Sequence, residues 1–220
     1  MTERTFTARL GCRYLLHLPE KVDAQTVLVA ALHGFSGNAE DMLGLTLRMT
    51  GPHHAIAAIE GPYGFFVSSE ANRVGYGWIT NRRAAESIRL HHEMVLHVLE
   101  EAGRECDIPA ERRVLLGFSQ PVSLNYRFAE AYPDSVRGVV GICGGLPGDW
   151  DDQHPGRIGA AVLHIARSQD EFYPAERTEQ YAPRLRLRCD DVEFHLLDGT
   201  HRFPSRSGPV WDTWLNRILG

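Results

Sequence analysis

Short runs that stay apolar on both faces most narrow the folds open to this chain. The run from Thr26 to Leu32 (Thr-Val-Leu-Val-Ala-Ala-Leu) offers no polar side to water and stops at His33-Gly34. Such a run suits a strand of a parallel sheet covered by helices above and below. Ala55 to Glu60, Arg113 to Phe118, Val136 to Cys143, Ala160 to Ile165 and Val192 to Leu197 read as further strands. Longer segments of helical period lie between them. Asn38 to Met49 reads as a helix with Asn38 as its N-cap. Arg83 to Ala102 is amphipathic, with Ile88, Val95, Val98, Leu99 and Ala102 on one side and Gly103 as its stop. Gln120 to Ala131, Glu176 to Leu187 (broken near Pro183) and Val210 to Leu219 complete the helical set. The runs Phe6 to Leu10 and Tyr14 to Leu18 are expected to pair as an antiparallel edge. Residues 61–82, rich in glycine and aromatics, read as a long loop. Strands alternating with helices imply an α/β fold with a mostly parallel central sheet and helices on both faces. The length of 220 residues suits one domain, 1–220.

In sheets of this kind ligands bind beyond the carboxyl ends of the strands, so chemistry-bearing residues at those ends are the candidates for a site. Four such ends carry reactive or permissive residues. They are His33-Gly34-Phe35-Ser36-Gly37, Gly117-Phe118-Ser119-Gln120-Pro121, Ala166-Arg167-Ser168-Gln169-Asp170 and Asp198-Gly199-Thr200-His201. Ser119 sits between a strand and a helix, the context of a nucleophile elbow, although proline stands where Gly-x-Ser-x-Gly has its last glycine. Serine, aspartate and histidine, each after a strand, follow the chain order of the α/β-hydrolase triad. A serine hydroxyl needs a base to take its proton as it attacks, and His201 is placed to be that base. Asp170 would hold the imidazole tautomer, with Glu171 and Asp198 as competitors for the role. Backbone N–H groups must receive the oxyanion, and the candidates are those of Phe35 and Gln120.

These pieces together resemble the phospholipase/carboxylesterase group of α/β-hydrolases, which includes the acyl-protein thioesterases. The matching segments are Leu32-His33-Gly34-Phe35, Gly117-Phe118-Ser119-Gln120, Asp170-Glu171-Phe172-Tyr173-Pro174 and Gly199-Thr200-His201. The resemblance covers most of the chain. It implies Ser119 as nucleophile, His201 as base and Asp170 as acid, acting on a small-molecule ester or thioester with no cofactor. The departure is Pro121, which fits a first helical turn and spares the Gln120 N–H. The stretch after Gly61 resembles a substrate-facing flap. Its aromatics Phe65, Phe66, Tyr76 and Trp78, beside Tyr63, either line a pocket or cap the core. Leu146 and Trp150 follow the strand after the elbow, where they either meet substrate or pack a surface loop. A peptidase or C–C hydrolase on the same fold, or a non-catalytic hydrolase-like binding protein, remain alternatives.

Other classes are disfavoured. The net charge is -5, and arginine stretches such as Arg184-Leu185-Arg186-Leu187-Arg188 are interrupted, so no basic face for nucleic acid is expected. The pairs His53-His54 and His91-His92 lack metal-ligand spacing, and no metal is expected. His33 is read as a brace for its own loop. Cys12, Cys106, Cys143 and Cys189 form no C-x-x-C pair or disulfide framework, and Cys143 reads as a buried small hydrophobe. No apolar stretch is long enough to span a bilayer and no signal peptide is visible, so a cytoplasmic protein is expected, acting alone or as a homodimer.

Overall fold

The computed structural model describes residues 1–204 and 207–220. A seven-stranded sheet has the order β1-β3-β2-β6-β7-β8-β9. Its strands are β1 (Tyr14–His17), β2 (Leu28–Leu32), β3 (Ala55–Ile59), β6 (Arg113–Phe118), β7 (Gly138–Ile142), β8 (Ala161–Arg167) and β9 (Val192–Leu197). β1 runs antiparallel to β3, and every other pairing is parallel. A separate antiparallel pair, β4 (Tyr63–Ser68) and β5 (Arg73–Gly77), stands apart from this sheet. The helices are α1 (Ala39–Thr50), α2 (Ala84–Glu105), α3 (Val122–Ala131), α4 (Ala175–Thr178), α5 (Tyr181–Arg186) and α6 (Gly208–Leu219).

The doubly apolar strands divide their side chains between two cores. Leu28, Ala30, Leu32, Leu115 and Val139 face one side, packed with Met94, Val95 and Leu99 of α2, Tyr126 and Phe128 of α3, and Leu185 of α5. Val29, Ala31, Val114, Leu116 and Val140 face the other, under Met42 and Met49 of α1 and Trp211, Trp214 and Ile218 of α6. Strand residues alternate faces, so burial on both sides requires apolar residues at every position. The Asn38 side chain accepts from the Asp41 N–H and caps α1 as expected. No helix among the described residues is long and apolar enough to cross a membrane.

Four expectations need correction. Residues 61–82 are not a loop throughout, because Tyr63–Ser68 and Arg73–Gly77 pair as a hairpin. Gly103 does not end α2, which runs on to Glu105. Gly103 is buried instead, and a Cβ there would lie 2.4 Å from the Arg113 guanidinium, so glycine serves close approach rather than termination. Phe6 to Leu10 forms no strand, and β1 finds its antiparallel partner in β3. Glu176 to Leu187 is interrupted, but at residues 179–180, and Pro183 lies within the first turn of α5, where its missing N–H removes no helical bond.

Candidate active site

Ser119 follows β6 directly and lies in the left-handed region, with φ 63°. A non-glycine residue held there costs on the order of 1–3 kcal/mol, which the surroundings must offset. Here the Ser119 N–H donates to the Ile142 carbonyl at 2.8 Å and the Val122 N–H donates to the Ser119 carbonyl at 3.2 Å. The turn is thus tied to β7 in front and to α3 behind, and its hydroxyl stands at the carboxyl edge of the sheet. Pro121, with φ -75° and ψ -8°, is the residue on which α3 begins, and its carbonyl accepts the Asn125 N–H at 2.8 Å. Its ring fixes a φ that the turn already needs. Pro121→Gly is therefore expected to lower stability by about 1 kcal/mol, read from urea unfolding, because the unfolded chain gains freedom.

Ser119 Oγ lies 2.9 Å from His201 Nε2, and His201 Nδ1 lies 2.8 Å from Asp170 Oδ2. This pairing selects the tautomer: Nδ1–H donates to the carboxylate, leaving Nε2 to accept the serine proton. The second carboxylate oxygen of Asp170 accepts the N–H groups of Phe172 and Tyr173, both at 2.9 Å. The Asp170 side chain is fully buried, and that of His201 is 12% exposed. Neither competitor occupies the position of Asp170. Asp198 accepts from the Ser168 hydroxyl, and Glu171 accepts the backbone N–H of His201.

The Phe35 and Gln120 N–H groups donate to no other described residue. Both residues line the same cleft as Ser119, while the next amide after Phe35, that of Ser36, is already given to the Tyr76 carbonyl. His33 braces its loop as expected. Its Nε2 accepts the Gly61 N–H at 2.9 Å, so Nδ1 carries the proton and donates to the Gly34 carbonyl at 2.7 Å. Burial lowers its pKa and keeps the ring neutral.

A cleft of about 470 Å³ opens over these groups, lined by Gly34, Phe35, Ser36, Phe118, Ser119, Gln120, Phe172, Tyr173 and His201. Its walls are aromatic: Phe172 meets the His201 ring edge-on at 4.9 Å, and Phe118 lies 5.3 Å from it. The residues expected to contact substrate lie elsewhere. Phe65 stacks on Phe35 at 4.9 Å, one layer behind the cleft. Phe66 is 64% exposed on the hairpin, and Tyr76 bridges to Gly37. Trp78 is buried, with its indole N–H given to the His33 carbonyl. Leu146 is buried in the core under α3. Trp150 lies beneath the Arg188 guanidinium at 4.3 Å and donates to Glu130. Apart from Phe35, the cleft takes its aromatics from residues one to three positions from Ser119 and Asp170 in sequence. Phe118 precedes Ser119, and Phe172-Tyr173 follow Asp170, a signal already present in the motif segments.

Cys143 follows β7 directly with φ 48°, and its sulfur lies with Asp170 and His201 ligand atoms inside a 4.8 Å cluster. That spacing could hold a metal ion, but the Asp170 oxygens already serve two amides and an imidazole. Burial, with Asp170 nearby, pushes the Cys143 thiol up to about 12. It stays a neutral, packed thiol, in keeping with its reading as a small hydrophobe. The four cysteines form no disulfide.

No protein-family model and no curated protein matches the chain. Solved structures do. A carboxylesterase from Mesorhizobium loti is 18% identical, covers 96% of this chain and 98% of its own, and superposes with a TM-score of 0.75. The Bacillus cereus carboxylesterase is 15% identical over 94% of each chain, with a TM-score of 0.72. The esterase PE8 is 20% identical over 96% of this chain and 100% of its own, again at 0.72. At these identities the likeness establishes architecture, and with the sheet order and elbow above it shows that the chain has the α/β-hydrolase fold.

Proposed function

We propose that the protein is a serine hydrolase that cleaves carboxylic esters or thioesters of small molecules through an acyl-enzyme. The observation that carries this reading is the unbroken chain Ser119 Oγ–His201 Nε2 at 2.9 Å and His201 Nδ1–Asp170 Oδ2 at 2.8 Å. Ser119 Oγ attacks the substrate carbonyl carbon as His201 Nε2 takes its proton. The resulting imidazolium is held against the Asp170 carboxylate. The oxyanion receives the free N–H groups of Phe35 and Gln120, and losing one such donor typically costs about 3 kcal/mol. Nε2–H then protonates the departing alcohol or thiol. Water, deprotonated by the same nitrogen, attacks the acyl-enzyme and regenerates Ser119. No metal or cofactor enters these steps.

The aromatic cleft supports an apolar acyl or alcohol portion. The named esterases of the same fold are consistent with ester chemistry. A binding protein on a decayed hydrolase scaffold would have no reason to keep the hydroxyl within hydrogen-bond reach of the imidazole. The test is treatment with a fluorophosphonate, followed by peptide mapping. A phosphonyl adduct on Ser119 and turnover of p-nitrophenyl esters are expected. An unmodified protein, or an adduct on another residue, overturns the reading.

A further inference from the structure

Both oxyanion donors are held by one short stretch of chain that lies outside the triad. The Trp78 N–H donates to Gln120 Oε1 at 2.8 Å, and Gln120 Nε2 donates to the Ile79 carbonyl at 3.3 Å. Only one orientation of the carboxamide satisfies both bonds, since the acceptor must meet the N–H and the donor the carbonyl. The same stretch grips the Phe35 loop. The Trp78 indole N–H donates to the His33 carbonyl at 2.8 Å. The Ser36 N–H donates to the Tyr76 carbonyl at 2.9 Å, and the Tyr76 N–H donates to the Gly37 carbonyl at 3.0 Å. Residues 76–79 therefore splint the two sides of the oxyanion hole, and the Gln120 side chain is the fastening on the elbow side.

We infer that the Gln120 carboxamide is a positioning group: it sets the Gln120 and Phe35 N–H groups relative to each other through the end of β5. This rests on the hydrolase reading above. The Gln120 backbone N–H survives any substitution of its side chain, so a change in rate reports placement of the donor rather than its removal. A tetrahedral oxyanion demands tighter placement than a planar carbonyl. A displacement near 1 Å costs on the order of 100-fold in rate. The loss must then fall on the transition state and leave ground-state binding alone.

The experiment compares Gln120→Met, which has similar length and no hydrogen bonds, with Gln120→Glu. The glutamate keeps the acceptor for Trp78 but at neutral pH loses the donor to Ile79. Hydrolysis of p-nitrophenyl butyrate is measured together with inhibition by an aryl trifluoromethyl ketone, which forms a tetrahedral oxyanion on serine. In both variants kcat is expected to fall about 10- to 100-fold, with KM within about threefold. Inhibition by the ketone weakens by the same factor as kcat/KM. Should the methionine variant not fold, the near-isosteric glutamate variant decides alone. Wild-type kcat and ketone inhibition in a folded variant overturns the inference, and so does a loss confined to KM. A wild-type protein that takes no fluorophosphonate overturns the hydrolase reading instead. Labelling of wild type and variants at one rate overturns the splint alone.

Discussion

Asp170→Asn lowers kcat for p-nitrophenyl ester hydrolysis by roughly 10⁴-fold, and Ser119→Ala lowers it by about 10⁶-fold. The two losses have different origins. Without Oγ there is no nucleophile, and residual turnover reflects water attack in the same cleft. With asparagine at 170 the nucleophile stays, but the partner of His201 Nδ1 changes. The Asp170 oxygen that faces Phe172 and Tyr173 accepts two amide N–H groups at 2.9 Å each. An asparagine in that place must keep its carbonyl oxygen there, since an NH2 would oppose two donors. Its NH2 then faces His201 Nδ1, which must become the acceptor. The proton moves to Nε2, and Nε2 can no longer take the Ser119 proton. The side chain is fully buried, so no water substitutes for the lost carboxylate. The effects act on one unit, so the double variant Ser119→Ala/Asp170→Asn hydrolyses no more slowly than Ser119→Ala alone. Steady-state kinetics on the three variants, with folding checked by circular dichroism, decides it. An Asp170→Asn variant within tenfold of wild type contradicts the role, and so does a double variant at the product of the two single losses.

The parts of this site that were legible in the sequence share a physical cause. A strand buried on both faces must be apolar at every position, so β2, β3, β6 and β7 announce themselves. The end of β6 then points to Ser119, while Asp170 and His201 follow the outer strands β8 and β9, and its spacing to Pro174 separates Asp170 from Glu171 and Asp198. The hairpin β4–β5 was illegible because its glycines argue for a loop. Yet a Cβ at Gly75 would lie 2.5 Å from the Ser36 carbonyl oxygen, so glycine there lets the hairpin press against the loop that carries Phe35 and Ser36. Composition reports a missing side chain and not the neighbour that requires it. The two readings left open for the tryptophans divide for a related reason. Trp78 and Trp150 are large enough to wall a cleft, but each ring is engaged away from it, with the His33 carbonyl and with the Arg188 guanidinium. Amphipathic rings go where their N–H finds a partner, and that partner is set by tertiary structure.

Mild acid is expected to unfold the protein steeply, through histidines outside the site. Burial lowers the pKa of His91 and of His164 from 6.5 to about 3, and that of His54 to about 4. The bonding explains why. His91 Nε2 faces the Asn125 side-chain oxygen at 3.1 Å and so carries the proton, while its buried Nδ1 meets no acceptor among the described residues. His164 Nδ1 pairs with the Tyr126 hydroxyl at 2.7 Å, and its Nε2 is likewise buried without a partner. A second proton on either ring would be a buried cation without a counter-ion. Below pH 6.5 the unfolded chain takes a proton at each imidazole that the folded protein refuses. Unfolding therefore consumes protons, and stability falls as pH drops until the folded values are reached. At pH 5 each of the three contributes about one proton, or about 1.4 kcal/mol per pH unit. Together they approach 4 kcal/mol per pH unit, set against a total stability of about 5–15 kcal/mol for a domain. His91→Gln keeps a donor for Asn125 and cannot titrate. Whatever it does to stability at pH 7, the slope of unfolding free energy between pH 6 and 4.5 should fall by about 1.4 kcal/mol per pH unit. Urea titrations across that range measure the slope directly, and a slope equal to that of wild type would show that His91 is protonated in the folded protein.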